Sequence, residues 1–179
     1  MPLEHVVLVD ESNAVLGTTP KTEVHQAVTP LHRWFSLFLF NRRGQVLLQQ
    51  RSSKKKTWPL VWSNSCCGHP QLGETNVQAA ERRLKEELGM RAEVLEEVAP
   101  YRYRYSRDGV MENEVCPILV GFTREEPSLD PDEVEAVAWL DWGAFLQDIA
   151  ANPGKYSDWC IEEVGILEAH PRFRELMRG

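Results

Sequence analysis

The sequence predicts an α+β fold, an α/β/α sandwich in which a mixed β-sheet lies between layers of helices. Three observations point there. Short β-rich segments recur along the chain, residues 75–88 keep helical spacing, and strands and helices follow one another without repeats or low-complexity linkers. With 179 residues, 42% of them hydrophobic, the chain is long enough for a real core and is expected to form a single domain over residues 1–179.

Residues 4–9 are a short β-rich segment, and residues 13–17 follow a polar turn as its hairpin partner. Residues 34–40 and 45–50 flank Asn41, Arg42, Arg43 and Gly44, which reads as a hairpin with glycine at the turn. Residues 58–62 are aromatic and interrupted by Pro59, as in a loop or edge strand. In residues 75–88, Val77, Ala80, Leu84 and Leu88 share a helical face, and Gly89 supplies the C-terminal cap. Strands are expected near 94–98, 101–105, 114–122 and 134–140. Asp141 is placed to cap a helix running through residue 149, and Asp158 one running to about 169, stopped by Pro171.

The longest apolar run, residues 34–40, is strand-sized, well short of the roughly 20 residues of a membrane span. The start lacks a basic segment followed by a long apolar one, so no secretory signal is expected. Cys66, Cys67, Cys116 and Cys160 form no CxxC pair or zinc-finger spacing, which points to a reducing cytoplasm. Cys116 and Cys160 have apolar neighbours and read as core fillers. The formal net charge of −7 argues against nucleic acid as a partner. That charge is uneven. Residues 24–73 contain no Asp or Glu but carry +7 from Arg33, Arg42, Arg43, Arg51, Lys54, Lys55 and Lys56. Such a block reads either as a solvated basic surface or as a local anion site in an acidic body.

Three groups of residues can carry chemistry. The first runs from Gly68 through Glu74 to Arg82, Arg83, Leu84, Glu86, Glu87, Gly89 and Met90. On a helix Arg82 lies beside Glu86 and Arg83 beside Glu87, either as surface ion pairs or as a carboxylate for a hard cation next to a cation for phosphate oxygens. The second group is His25, His32, His69, Glu112 and Glu114. Cys67 and His69 share one side of an extended chain, as do Glu112 and Glu114. Three imidazoles and two carboxylates suit an octahedral Mn or Zn ion. Cys67, beside His69, can serve as nucleophile, metal ligand or acid/base group. The third group is aromatic: Trp58, Trp62, Tyr103 and Trp159 are candidate pocket walls whose faces would stabilise a cation, or they are simply core.

The first group resembles a Nudix box, G-x5-E-x7-R-E-U-x-E-E-x-G-U, with Arg83 standing where the box has its first helix glutamate. Taken together, the chain resembles the type I isopentenyl-diphosphate isomerases, a branch of the Nudix fold. The resemblance is carried by His25 and His32, by Arg51, Lys55 and Trp58 followed by Pro59, by Asn64 through Pro70, by the altered Nudix helix, by Tyr101 through Arg104, and by Glu112 through Pro117. It spans nearly the whole chain, and the isomerases depart from the hydrolase box at the position of Arg83.

The resemblance implies conversion of isopentenyl diphosphate to dimethylallyl diphosphate by proton addition and removal through a tertiary carbocation-like state. It assigns Cys67 and Glu114 as the two acid/base groups, Tyr103 as a relay to Glu114, and Trp159 as the stabiliser of the cation. It implies His25, His32, His69, Glu112 and Glu114 as ligands of a Mn or Zn ion. A Mg ion would be held by Glu87, the Cys67 backbone carbonyl and the substrate diphosphate. Lys21, Arg51, Lys55 and Arg83 would bind that diphosphate. The expected protein is a monomer or weak dimer with a small-molecule diphosphate substrate and neither nucleic acid nor membrane as partner. A Nudix hydrolase of nucleoside diphosphate derivatives and a non-catalytic diphosphate- or metal-binding module are the competing readings.

Overall fold

Alternation in residues 5–9 turns Val6, Val7 and Val9 inward and makes β1 (His5–Val9), paired antiparallel with β2 (Val15–Pro20). The computed structural model describes residues 4–179. After a single-turn helix α1 (Lys21–Val24) come β3 (His32–Arg33), β4 (Phe35–Phe40), β5 (Gln45–Arg51), β6 (Trp62–Ser63) and β7 (Cys66–Gly68). Helix α2 (Asn76–Leu88) leads to β8 (Val94–Ala99), β9 (Arg102–Arg107), β10 (Val110–Val115), β11 (Ile118–Phe122) and β12 (Val134–Asp141). Helices α3 (Trp142–Ala151), α4 (Asp158–Ala169) and α5 (Pro171–Arg178) close the chain. No helix among the described residues is long and apolar enough to cross a membrane.

The strands form two mixed sheets with helices on their faces. One has the order β2-β1-β3-β10-β9; the other has the order β12-β5-β4-β11-β8, with β6 added to β5 and β7 to β4. Period-two alternation divides the core of the second sheet. Phe35, Leu37, Leu39, Leu47 and Cys66 pack against Ala79, Ala80, Leu84 and Leu88 of α2. Phe38, Phe40, Val46, Leu48 and Cys67 pack on the other side with Phe145, Trp159, Val164, Leu167 and Phe173 of α3, α4 and α5.

Helix α2 begins and ends on local signals. Thr75 accepts from the Gln78 backbone, and the Gln78 side chain accepts from the Thr75 backbone in return. Gly89 takes the left-handed conformation at φ 64°, and its N–H closes the last turn on Leu84 and Lys85.

Several expectations need correction. Residues 114–122 are two strands, because Pro117 has no N–H for a ladder and the chain changes sheets at Cys116 and Pro117. It changes sheets again at Trp34, directly alongside: Trp34 N–H donates to Val115 O at 2.9 Å and Ser36 N–H to Pro117 O at 3.1 Å. Parallel pairs β3–β10 and β4–β11 therefore meet at one corner. The expected 34–40/45–50 hairpin is splayed, with β4 and β5 registered only at Phe40 and Val46. Residues 62–68 fill the gap: Ser65 Oγ accepts from Leu39 N–H at 2.7 Å and donates to Leu47 O at 2.6 Å, bridging both strands. Ser157, not Asp158, caps α4, and Asp141 makes no side-chain cap bond. Helix α4 does end at Ala169 before Pro171, and Pro171 then opens a further helix, α5, since a proline at the first helical position loses no hydrogen bond.

Candidate functional site

The corner between the sheets gathers residues far apart in sequence. Parallel register puts His32 of β3 opposite Glu114 of β10, and antiparallel register puts Tyr103 of β9 on the other flank of Glu114. His69 follows β7, which Ser36 and Phe35 hold against β4. His25 is drawn in by the segment after it: Met111 N–H donates to Gln26 O at 2.8 Å, and Thr29 Oγ1 donates to Met111 O at 2.6 Å. The imidazole centroids of His25, His32 and His69 stand 5.2–5.7 Å apart. One ligand atom from each of these histidines and one from Glu114 all lie within 4.8 Å of one another. Glu112 stands beside this group, its carboxylate accepting from the Tyr103 hydroxyl at 3.1 Å. Tyr103 also donates to Glu114.

The donor set fits a divalent cation on structural grounds. His32 Nδ1 lies 2.9 Å from Pro30 O, which orients the ring and turns Nε2 toward Glu114 Oε1 at 3.1 Å, where a cation can take the place of the proton between them. Both ring nitrogens of His69 are buried without a hydrogen-bond partner, a costly arrangement unless something else satisfies them. A cation among these groups would satisfy one of the two His69 nitrogens and replace the proton between His32 and Glu114. The electrostatics agree. Burial, then the nearby His32, pushes the His69 imidazole well below its usual range, so it stays neutral and able to ligate. Burial would raise Glu114, but the His25 and His32 hydrogen bonds outweigh it and hold the carboxyl below the usual range. Burial, followed by the Glu114 charge, raises Glu112.

Beside the cluster opens a cavity of about 310 Å³. Cys67, His25, His69, Trp34, Glu87 and Glu112 line one part, and Lys21, Arg51, Lys54, Lys55, Lys56 and Arg83 the cationic part. Burial, then Glu163, pushes the Cys67 thiol up to about 12. Arg51 donates to Thr57 O at 2.9 Å and lies over the Trp159 ring at 5.6 Å. Arg83 donates to Glu86 at 3.0 Å, to Glu133 at 3.1 Å and to Glu87, while Lys55 pairs with Glu133 and Lys21 with Glu4 at 2.7 Å. Glu87 is steadied by Gln49 Nε2 at 3.3 Å. Trp159 does not line the cavity. It is fully buried behind it, stacked on Tyr103 at 5.8 Å and edge-on to Trp58. Tyr103 and Glu114 likewise lie behind the lining, and Trp62 packs on the core away from it.

Gly68 explains how Arg83 comes so close to the Cys67 strand. A Cβ there would sit 2.8 Å from Arg83 Cγ and 3.1 Å from Phe35 Cε1. Gly68→Ala should therefore cost about 1–3 kcal/mol, read as a lower urea midpoint, and should weaken inorganic pyrophosphate binding by shifting Arg83. An unchanged midpoint with unchanged binding would contradict this packing.

Residues not singled out in the sequence complete the surroundings. Ser36 Oγ lies 3.5 Å from Cys67 Sγ, Asn64 Oδ1 accepts from Cys67 Sγ at 3.2 Å, and the fully buried Glu163 faces Cys116. A lone serine within the apolar run of residues 35–40 was the available signal for Ser36. For Glu163 it was the helical spacing of four from Trp159.

A family profile described as the NUDIX domain matches residues 30–160. An isopentenyl-diphosphate Delta-isomerase of Saccharopolyspora erythraea is 45% identical over 92% of this chain and 86% of its own. One from Escherichia coli is 42% identical over 96% of both chains. Among solved structures, DR0079 of Deinococcus radiodurans superposes with a TM-score of 0.64 at 24% identity, covering 98% of both chains. The MutT protein of Methanosarcina mazei superposes with a TM-score of 0.57 at 18% identity, covering 66% of this chain and 82% of its own. At these identities the two structural likenesses speak for the fold alone.

Proposed function

Because this chain belongs to the isopentenyl-diphosphate Delta-isomerase family of NUDIX-domain proteins, we propose that it interconverts isopentenyl diphosphate and dimethylallyl diphosphate. The observation that carries the reading is one cavity lined by the Cys67 thiol, by His25 and His69 of the imidazole cluster, by Glu87 and Glu112, and by Lys21, Arg51, Lys55 and Arg83. A diphosphate suits the cations, and a short hydrocarbon tail would extend toward Cys67.

An unactivated alkene is a very weak base, so the reaction needs an acid at one face of the double bond and a base at the other, both held close. Cys67 is one of these groups. The other is Glu114, with Tyr103 passing the proton between the buried carboxylate and the cavity side. A divalent ion held by His25, His32, His69 and Glu114, with Glu112 as a fifth ligand once its carboxylate turns from Tyr103, would neutralise the buried charge and increase acidity there. Mn or Zn suits that nitrogen-rich set. Mg suits Glu87 with the Cys67 backbone carbonyl and the substrate's own phosphates. The stacked Trp159 and Tyr103 rings favour a positive charge over their faces, as Arg51 over Trp159 already illustrates. Lys21, Arg51, Lys55 and Arg83 bind the diphosphate by exchanging their carboxylate or carbonyl partners for phosphate oxygens. Arg83 also replaces a carboxylate of the hydrolase box by a cation, which favours holding the diphosphate over cleaving it. The expected working form is a cytoplasmic monomer or weak dimer without nucleic-acid or membrane partners.

The test is incubation with isopentenyl diphosphate, Mg and Mn in heavy water. Deuterium-labelled dimethylallyl diphosphate is the expected product. Release of phosphate without isomer would mark a hydrolase instead, and unchanged substrate a binding module.

A further inference from the structure

We infer that Glu163 is a positioning residue that turns the Ser36 hydroxyl away from Cys67 and so keeps the sulfur lone pairs free toward the cavity. The inference rests on the reading of Cys67 as an acid/base group. It follows from counting donors and acceptors around the thiol. Asn64 is fixed first: its Nδ2 donates to Leu37 O at 3.1 Å and Cys66 O at 3.2 Å, which leaves Oδ1 as the acceptor facing Cys67 Sγ at 3.2 Å. The Cys67 proton therefore has an inward acceptor, and Asn64 is buried away from the cavity.

The question is where the single Ser36 proton goes. Its hydroxyl stands between two sulfurs, Cys67 Sγ at 3.5 Å and Cys116 Sγ at 3.4 Å, with the Glu163 carboxyl also facing it on the Cys116 side. Glu163 decides between them. Cys116 Sγ donates to Glu163 Oε1 at 3.7 Å, so the Cys116 sulfur is left to accept, and the Ser36 O–H donates to it. The chain Ser36→Cys116→Glu163 then runs away from Cys67. Without an acceptor at position 163, Ser36 is free to donate to Cys67 and occupy the lone pair that must meet a substrate proton.

A second observation sets Glu163 apart from a surface acid. Its side chain is fully buried, and Oε2 has no hydrogen-bond partner. An unpaired buried acid costs stability. Helix α4 also carries Trp159 one turn earlier, so one helix face delivers both groups behind the cavity.

The experiment compares Glu163→Leu, Glu163→Gln and the double variant Glu163→Leu/Ser36→Ala with the parent enzyme. Glu163→Leu should fold at least as stably, lower kcat about tenfold and leave KM for isopentenyl diphosphate within about twofold. Glu163→Gln keeps an acceptor oxygen and should restore most of kcat. Adding Ser36→Ala to Glu163→Leu removes the hydroxyl that would turn, and should recover most of the loss rather than deepen it. The S–H stretching band of Cys67, isolated by difference against Cys67→Ala, should shift in Glu163→Leu and return in the double variant; this readout does not depend on turnover. An unchanged kcat and band in Glu163→Leu, or a further fall in the double variant, overturns the inference. A parent enzyme that makes no dimethylallyl diphosphate refutes the isomerase reading instead, while the band still reports on the chain.

Discussion

Cys67→Ala should abolish isomerisation, with turnover falling by at least roughly 10³-fold while the fold survives. General acid/base groups contribute about 10²–10⁴-fold, and no other thiol can take over. Cys66, its neighbour, points to the opposite face of β7, toward Glu87, because adjacent strand residues alternate. Cys116 and Cys160 are fully buried behind the cavity. The truncation removes one sulfur from a nearly buried site, a cost of about 1 kcal/mol. Melting temperature and near-ultraviolet circular dichroism would show an intact protein, and labelled-product formation in heavy water would show the loss. Retention of a tenth of parental turnover would remove Cys67 from the reaction. Cys66→Ala should lose far less, which separates chemistry from packing.

Glu114→Gln should remove turnover and bound metal together. Glu114 is fully buried, and its Oε1 is the shared partner of His25 at 3.5 Å and His32 at 3.1 Å. Glu114, backed by its hydrogen bonds and charge, raises His32 against the opposing effect of burial. Replacing the carboxylate by an amide takes away the only anionic ligand of the four-residue cluster, although the amide oxygen can still accept from Tyr103. Metal content after gel filtration, measured by mass spectrometry, should drop by more than tenfold relative to parent. The fold should lose only a little stability, because His32 can shed its proton and leave no unpaired buried charge. A variant that retains full metal content would exclude Glu114 from the ligand set.

Helix α2 was readable because its signals are local: the apolar positions at Val77, Ala80, Leu84 and Leu88, and Gly89 beyond the end, with Thr75 serving as its cap instead of its first residue. The buried face also includes Arg83 and Glu87, so the charged pair that looked like surface from spacing alone is turned toward the cavity. Other features depend on pairing at long range. Nothing near residues 41–44 says that the two flanking strands will part, since that depends on Ser65 bridging them from twenty residues away. The double change of sheet was half visible, in Pro117 but not in Trp34. The candidate ligands were readable as residue types. That His25, His32 and His69 converge came from the resemblance, because contacts across so many intervening residues leave no periodicity. Glu163 was overlooked for the opposite reason: in a helix, an acid beside Glu162 reads as solvated surface, and only the packing of Trp159 and Cys160 around it places it inside.

The corner where the chain twice changes sheets has a consequence for how the protein comes into being. His32 and Glu114 meet across 82 positions, so the cluster cannot assemble until synthesis has passed β10. Closing a loop of that length costs about 2 kcal/mol more than closing one of ten residues. Such long-range parallel pairing also slows folding. A cation that grips both ends would act as a clasp on one of the long closures of the chain. The ion that the site holds for chemistry would then also govern how much newly made protein reaches its native state, and metal scarcity would be felt first as lost yield.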